Sequence, residues 1–235
     1  MSDHTVRAYD DDLMEISRKI TEMGGIAETM LSNAIQSLVK GDTELAQRVI
    51  ATDPKLDALE REIEEKAILT IARRQPMAID LRALVSAIRI GGDLERIGDL
   101  AKNVSKRVVA IDGQFAPQKI VGGVIHISDL ALDRLHRVLD AYAHRDVEGA
   151  ISVWKEDEEI DQLYNSLFRE LLTYMMEDPR NIGFCAHLLF SAKNIERIGD
   201  HATNIAETIS YLVTGESMTT DRPRAAGGYE PLQTS

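Results

Sequence analysis

The chain has 235 residues, 44% of them apolar and only 5% aromatic, with 6 prolines, 15 glycines and a formal net charge of −12. That length and apolar content can bury one large or two small cores, and the scarcity of aromatics and prolines favours helix over sheet. The acidic balance argues against nonspecific nucleic-acid binding, which needs Lys and Arg to neutralise phosphates. Lone Cys185 excludes an internal disulfide framework and fits a reducing cytosol.

Nearly every stretch repeats its apolar residues at helical spacing. Over residues 11–40, Leu13, Ile16, Ile20, Met23, Ala27, Met30, Leu31 and Leu38 predict one amphipathic helix. Gly41-Asp42 then supplies a stop and a start, with Asp42 or Thr43 as the N-cap. The next helix is expected over 44–74, on a stripe of Leu45, Val49, Leu56, Leu59, Ile63, Ala67 and Ile71. Pro54 lies inside it, so a kink or break is expected near residues 51–53. Gln75-Pro76 makes a turn into a third helix over 78–111, and Gly113 and Pro117 mark a boundary. The second half repeats the plan, with helices over 120–143, 147–176 and 183–213 and turns at His144-Arg145-Asp146 and Asp178-Pro179-Arg180. The expected fold is all-α: two tandem, similar three-helix bundles over 10–113 and 117–214. A Gly, Pro, Ser and Thr-rich tail over 215–235 reads as disordered. The opening MSDHTVRAYDDDL lacks the basic and apolar regions of a signal peptide, and no uncharged apolar run approaches the ~20 residues that span a bilayer. A cytoplasmic protein without membrane insertion is expected.

The duplication is written in the sequence. Glu95-Arg96-Ile97-Gly98-Asp99 recurs as Glu196-Arg197-Ile198-Gly199-Asp200, each copy after a short aliphatic run. Aligning Asp42 with Asp146 also pairs Asp53 with Asp157 and Asp57 with Asp161, at an offset of 104 that shrinks to 101 at the pentapeptide. Each repeat therefore carries two acidic pairs at i, i+4, and such pairs stack on one helix face. Asp53 and Asp57 lie as far before Pro76 as Asp99 and Glu95 lie after it. Asp157 and Asp161 stand in the same relation to Asp200 and Glu196 about the Asp178-Pro179 turn. In antiparallel hairpins this puts four carboxylates at one height in each repeat, and helix axes ~8–10 Å apart leave room for them to converge if the faces match.

Four converging carboxylates need compensation, since unit charges ~4 Å apart repel by ~4 kcal/mol at an effective dielectric near 20. The set suits Mg²⁺, Mn²⁺, Fe or, less selectively, Zn²⁺. Asn103 and Asn204 extend the two stripes with neutral oxygens, and Gly98 and Gly199 allow a neighbouring helix to approach closely. The bland alternative is a solvated acidic face neutralised by Arg96 and Arg197.

The segments GGDLERIGDLAKNV (91–104) and AKNIERIGDHATNI (192–205), with RRQPMAIDLRALVSAIRI (73–90), resemble the PhoU family of bacterial phosphate-transport accessory regulators. The resemblance covers residues 10–213 and implies two three-helix bundles with divalent or trivalent metal ions, in multinuclear clusters, on the acidic motifs. The implied ligands are Glu95, Asp99, Glu196 and Asp200, with Asp53, Asp57, Asp157 and Asp161 as partner acids of the facing helices. It further implies an adaptor, not a catalyst, that couples the ATPase subunit of a phosphate ABC transporter to a sensor histidine kinase. Such an adaptor keeps the phosphate-starvation response off and restrains uptake; a homodimer is the expected assembly. The first copy has Asp93 and Lys102 where the second has Asn194 and Thr203, so the two clusters are expected to differ.

Two other classes stand beside this one: a metal-dependent hydrolase using carboxylate-bridged ions, and a helical interaction module without metal. The six histidines are scattered, and His201, though next to Asp200, is expected at the surface, about 100° round the helix. Gly91-Gly92 lacks the Lys-Ser/Thr of a phosphate-cradling loop and reads as relief of helix crowding. Cys185 reads as packed, and Trp154 and Met175-Met176 as core or interface.

Overall fold

The computed structural model of the chain describes residues 2–111 and 118–218, with side chains over 9–111 and 121–218. The expected boundary at Gly113 and Pro117, and all of the expected tail beyond residue 218, fall outside the described residues. Seven α-helices are described: α1 Ser2–Lys40, α2 Thr43–Arg74, α3 Ile79–Ile111, α4 Gln118–His144, α5 Val147–Lys155, α6 Asp157–Glu177 and α7 Ile182–Thr214, with a 3-10 turn at Pro179–Asn181 before α7. The fold is all-α, with α1–α3 forming one bundle and α4–α7 a similar second one in tandem.

Local chemistry sets the ends. Asp42 caps α2 by accepting from the Leu45 N–H at 2.9 Å, and Asp146 caps α5 through the Gly149 N–H at 3.0 Å. Gln75 ends α2 in the left-handed conformation (φ 49°), its N–H returning to the Ile71 carbonyl.

The expected break at Pro54 does not occur; α2 runs unbroken through it. The break falls instead in the second repeat, at Glu156, where no proline stands. There the ladder tightens, with Glu156 N–H bonded to Val153 O and Glu159 N–H to Glu156 O. The cause lies on another helix. Arg134 of α4 is fully buried, and its guanidinium donates to the backbone carbonyls of Glu156 and Asp157. A buried cation that bonds these carbonyls competes with the helical ladder for them. The corresponding residue of the first repeat, 104 positions earlier, is Met30, which is equally buried and offers no donor.

The two bundles share one apolar core. Its axis is an α3/α7 pair, for α3 packs about as extensively on α7 as on its own hairpin partner α2. Arg89 lies 5.6 Å from the Tyr211 ring and Arg107 4.7 Å from the Phe190 ring, so the two helices run antiparallel. Burial of Ile195, Ile198, Ala202, Ile205 and Thr208 leaves α7 little free surface, as befits a helix apolar on most sides. Cys185 is packed in this core, and Trp154 is buried with its Nε1 donating to Glu207 at 2.9 Å. Met175 packs against the core while Met176 is exposed.

Candidate metal centre

Close approach within each hairpin builds the acidic clusters. Gly98 lies between Glu95 and Asp99 on α3, and Leu56 of α2 sits directly on it, where a Cβ would collide with Leu56 Cδ1. At the equivalent place in the second repeat, a Cβ on Gly199 would lie 2.8 Å from Ile160 Cδ1. These seats hold α2 against α3, and α6 against α7, with the acidic faces turned to each other. Of the Gly91-Gly92 pair, only Gly91 meets the facing helix, through Ile63; a Cβ on Gly92 would meet open space.

In the first repeat, the Lys102 ammonium bonds Asp53 Oδ2 and Asp99 Oδ1, each at 2.5 Å, and so bridges α2 and α3. Burial alone would push the ammonium down; its bonds to Asp53 and Asp99 outweigh that and carry its pKa up to about 12. Glu95 is pushed above the usual carboxylate range by burial and by the charge of Asp99. Arg96 opposes this, while Asp57 and Glu60 add to it. Asp57 thus faces Glu95 as Asp53 faces Asp99. Arg96 is exposed and stands loosely 3.5 Å from Glu95 and 3.8 Å from Asp99.

The second repeat balances its charge differently. Asp157, 5% exposed, accepts from the Thr203 hydroxyl at 2.8 Å, Thr203 being the counterpart of Lys102. Asp161 and Glu196 close into a carboxyl pair, a hydrogen bond only when one of them carries a proton. Burial pushes both carboxyls up, and the Asp200 charge adds to each shift. Glu196 is 8% exposed; Lys193 reaches its Oε1 at 2.6 Å, whereas Oε2 is buried with no donor to meet it.

The eight acids of the sequence reading therefore gather as two clusters of four. Two neighbouring residues turn elsewhere. Asn204 Nδ2 donates to Asp93 Oδ1 of α3 at 3.3 Å, and His201, expected at the surface, is half-buried with Nδ1 2.8 Å from the same oxygen. The α3/α7 packing draws both away from the acids. Arg134 was not anticipated, though a lone arginine inside the apolar stripe of α4, opposite Met30, was a visible signal.

The second cluster offers a hard cation four carboxylates, among them the buried Glu196 Oε2 that no donor meets. The first fits less well, because Lys102 already lies between two of its acids. Among the described residues, no three His, Cys, Asp or Glu side chains are gathered closely enough to ligate one ion as they stand, so ligation would draw them together by side-chain rotation.

The PhoU domain, as a sequence family, matches residues 20–108 and 124–209, one copy on each cluster. The chain belongs to the PhoU family. It is 58% identical over 221 residues to the phosphate-specific transport system accessory protein PhoU homolog of Rhizobium meliloti (strain 1021), covering 94% of this chain and 93% of that protein. The Caulobacter vibrioides (strain NA1000 / CB15N) homolog is 50% identical over 224 residues, covering 95% and 97%. The crystal structure of PhoU from Pseudomonas aeruginosa superposes with a TM-score of 0.86 at 38% identity, over 88% of this chain and all of that one. The phosphate transport system regulatory protein PhoU from Streptococcus pneumoniae gives 0.82 at 29% identity, over 90% and 100%. PhoU proteins are named as accessory and regulatory proteins and not as enzymes, which sets the hydrolase alternative aside.

Proposed function

We propose that this PhoU-family chain is a metal-binding adaptor. It couples the ATPase subunit of a phosphate ABC transporter to a sensor histidine kinase, and so restrains phosphate uptake and the starvation response. The observation that carries the reading is the near full-length match to phosphate-specific transport accessory proteins. The surface is in keeping with an adaptor. Apolar side chains stand exposed at both hairpin tips, Met77 and Ile79 on one, Met176 and Ile182 on the other. Because α3 and α7 run antiparallel, these tips lie at opposite ends of the molecule, where two partners can be held at once. No helix among the described residues is long and apolar enough to cross a membrane, and we place the adaptor in the cytoplasm.

Metal would be held by Asp157, Asp161, Glu196 and Asp200, where it supplies the positive charge that the buried Glu196 oxygen lacks. Neutralising this cluster joins α6 to α7 at mid-height and stiffens the second hairpin.

Deleting the gene and following a phosphate-starvation reporter in phosphate-replete cells tests the regulatory role. The expected result is constitutive reporter expression, restored to repression by the wild-type gene. Met77→Asp and Met176→Asp should each lose one partner in co-purification with the kinase and the ATPase. A deletion strain that still represses the reporter would overturn the regulatory reading.

A further inference from the structure

A groove of about 360 Å³ runs between α1 and α2 in the first repeat. Buried Met30 and Val49 form its floor, and a Cβ on Gly25 would meet open space. Arg48 stands at the end near the Gly41-Asp42 turn and Lys55 at the far end, with Thr29, Asn33 and Thr52 on the walls. No carboxylate lines the groove, on a chain whose net charge is −12. The acids around it are accounted for. Glu28 pairs with His136, and exposed Glu44, one turn before Arg48, lies outside the lining. Glu22 meets Lys55 at 3.3 Å, with the two side chains 42% and 59% exposed, and such a surface pair exchanges readily for another carboxylate. Arg48 is exposed and makes no ion pair among the described residues. In the second repeat the same place is filled from within. Met30, Asn33 and Thr52 correspond to Arg134, Arg137 and Glu156. Arg137 grips both Glu156 carboxylate oxygens, at 2.6 and 2.8 Å, and Ser152, the counterpart of Arg48, donates to Glu156 Oε1 at 3.1 Å. The first repeat has its cations on the α2 side instead and lacks the carboxylate.

We propose that this groove docks a short acidic segment of a partner protein, whose carboxylates take the place that Glu156 fills in the second repeat. The groove is too small to enclose a helix, about 10–12 Å across, so the segment lies extended. Arg48 and Lys55 stand about 10 Å apart along the α2 axis, a distance that an extended chain spans in about three residues. The segment therefore carries acids at i and i+3, with apolar residues between them to cover Met30 and Val49. Thr29 and Thr52 donate to the Gly25 and Arg48 carbonyls of their own helices, which leaves their oxygens to accept from the backbone N–H groups of the segment. This site is separate from the apolar hairpin tips and independent of the adaptor reading.

The test is fluorescence anisotropy of a labelled Gly-Glu-Leu-Leu-Glu-Gly peptide with the full chain, helicity being checked by circular dichroism. Saturable binding that weakens with added salt is expected, and the peptide with Gln for both Glu should bind at least about tenfold more weakly. Arg48→Glu with Lys55→Glu should abolish binding and accept the peptide with Lys for both Glu instead. Asn33→Arg with Thr52→Glu, which builds the second repeat's own pair into the first, should close the groove. Met77→Asp, at a hairpin tip, should leave binding unchanged. Equal binding of the Glu and Gln peptides, or undiminished binding in either double variant, overturns the inference. Should Asn33→Arg with Thr52→Glu not fold, the charge-reversed variant at two exposed positions decides the point. A wild type that ignores the peptide overturns the inference too, and if inorganic phosphate binds at Arg48 and Lys55 in its place, the groove is a small-anion site.

Discussion

Leu56 seats on the bare backbone of Gly98, between the two acids of the first pentapeptide, and so fixes how closely α2 approaches α3. Gly98→Ala would gain up to ~1 kcal/mol of helix propensity but force a methyl into a fully buried leucine, an overpacking that costs ~1–3 kcal/mol. The expected net effect in urea denaturation is a loss of about 1 kcal/mol. Leu56→Val in the same chain should recover part of it, and strict additivity of the two substitutions would show that the seat does not set the approach.

Arg134 fills the break between α5 and α6. Arg134→Met, the residue of the first repeat, removes the charged donor shared by the Glu156 and Asp157 carbonyls, of which Glu156 keeps its bond from the Glu159 N–H, at about 1.5–3 kcal/mol. A large fall in the denaturation midpoint is expected, with added proteolytic sensitivity near Glu156. A neutral substitution would mean that α5 and α6 simply join into one helix, as α2 does.

Glu196 pairs with Asp161 in a setting where burial disfavours both anions. Glu196→Gln should therefore stabilise the chelator-treated protein, because it removes one of two facing charges and the half-exposed Lys193 contact it sacrifices is weak. For a chain of this length each kcal/mol relieved raises the melting temperature by roughly 2–4 °C. A lower melting temperature would show that the Lys193 contact outweighs the carboxyl repulsion.

The bundles are also tied at the surface. His136 of α4 stands 2.9 Å from Glu28 of α1, and this pairing holds the imidazole pKa above its ordinary value, with Asp140 and Asp133 adding to the effect. A raised histidine pKa stabilises the fold fully below the unfolded value near 6.5, and the contribution disappears as pH rises through the folded value. The site is largely exposed, so at most about 1 kcal/mol is involved. Urea midpoints compared between about pH 5.5 and 8.5 should show this contribution in the wild type and not in Glu28→Gln.

The sequence made the hairpins readable because their information is local. Helical stripes, Asp42 and the Gln75-Pro76 turn fix α2 and α3. Equal spacing from the turn then sets Asp57 level with Glu95 and Asp53 level with Asp99. What escaped was decided between elements. Pro54 suggested a break in α2 by a local rule, yet the break appears at Glu156 because a guanidinium on α4 competes for its carbonyls. His201 and Asn204 follow the acidic stripe in sequence, but the packing of α7 on α3 turns them onto Asp93. That packing had no local signal beyond the near-continuous apolar surface of α7. The Lys102/Thr203 difference was visible as a substitution. Its meaning required knowing that the lysine reaches across to Asp53.

The antiparallel α3/α7 pair makes the molecule a dimer of itself joined by a peptide link. Were the halves separate copies of one chain, Lys102 would stand at both clusters and Met30 opposite both second helices; symmetry would forbid anything else. Fusion lifts that constraint. One half can keep a lysine and an unbroken helix while the other acquires Thr203, Arg134 and a buried carboxylate pair, and the shared core continues to hold both in register. Covalent duplication has thereby allowed one ancestral site to persist in two chemical versions within the same protein.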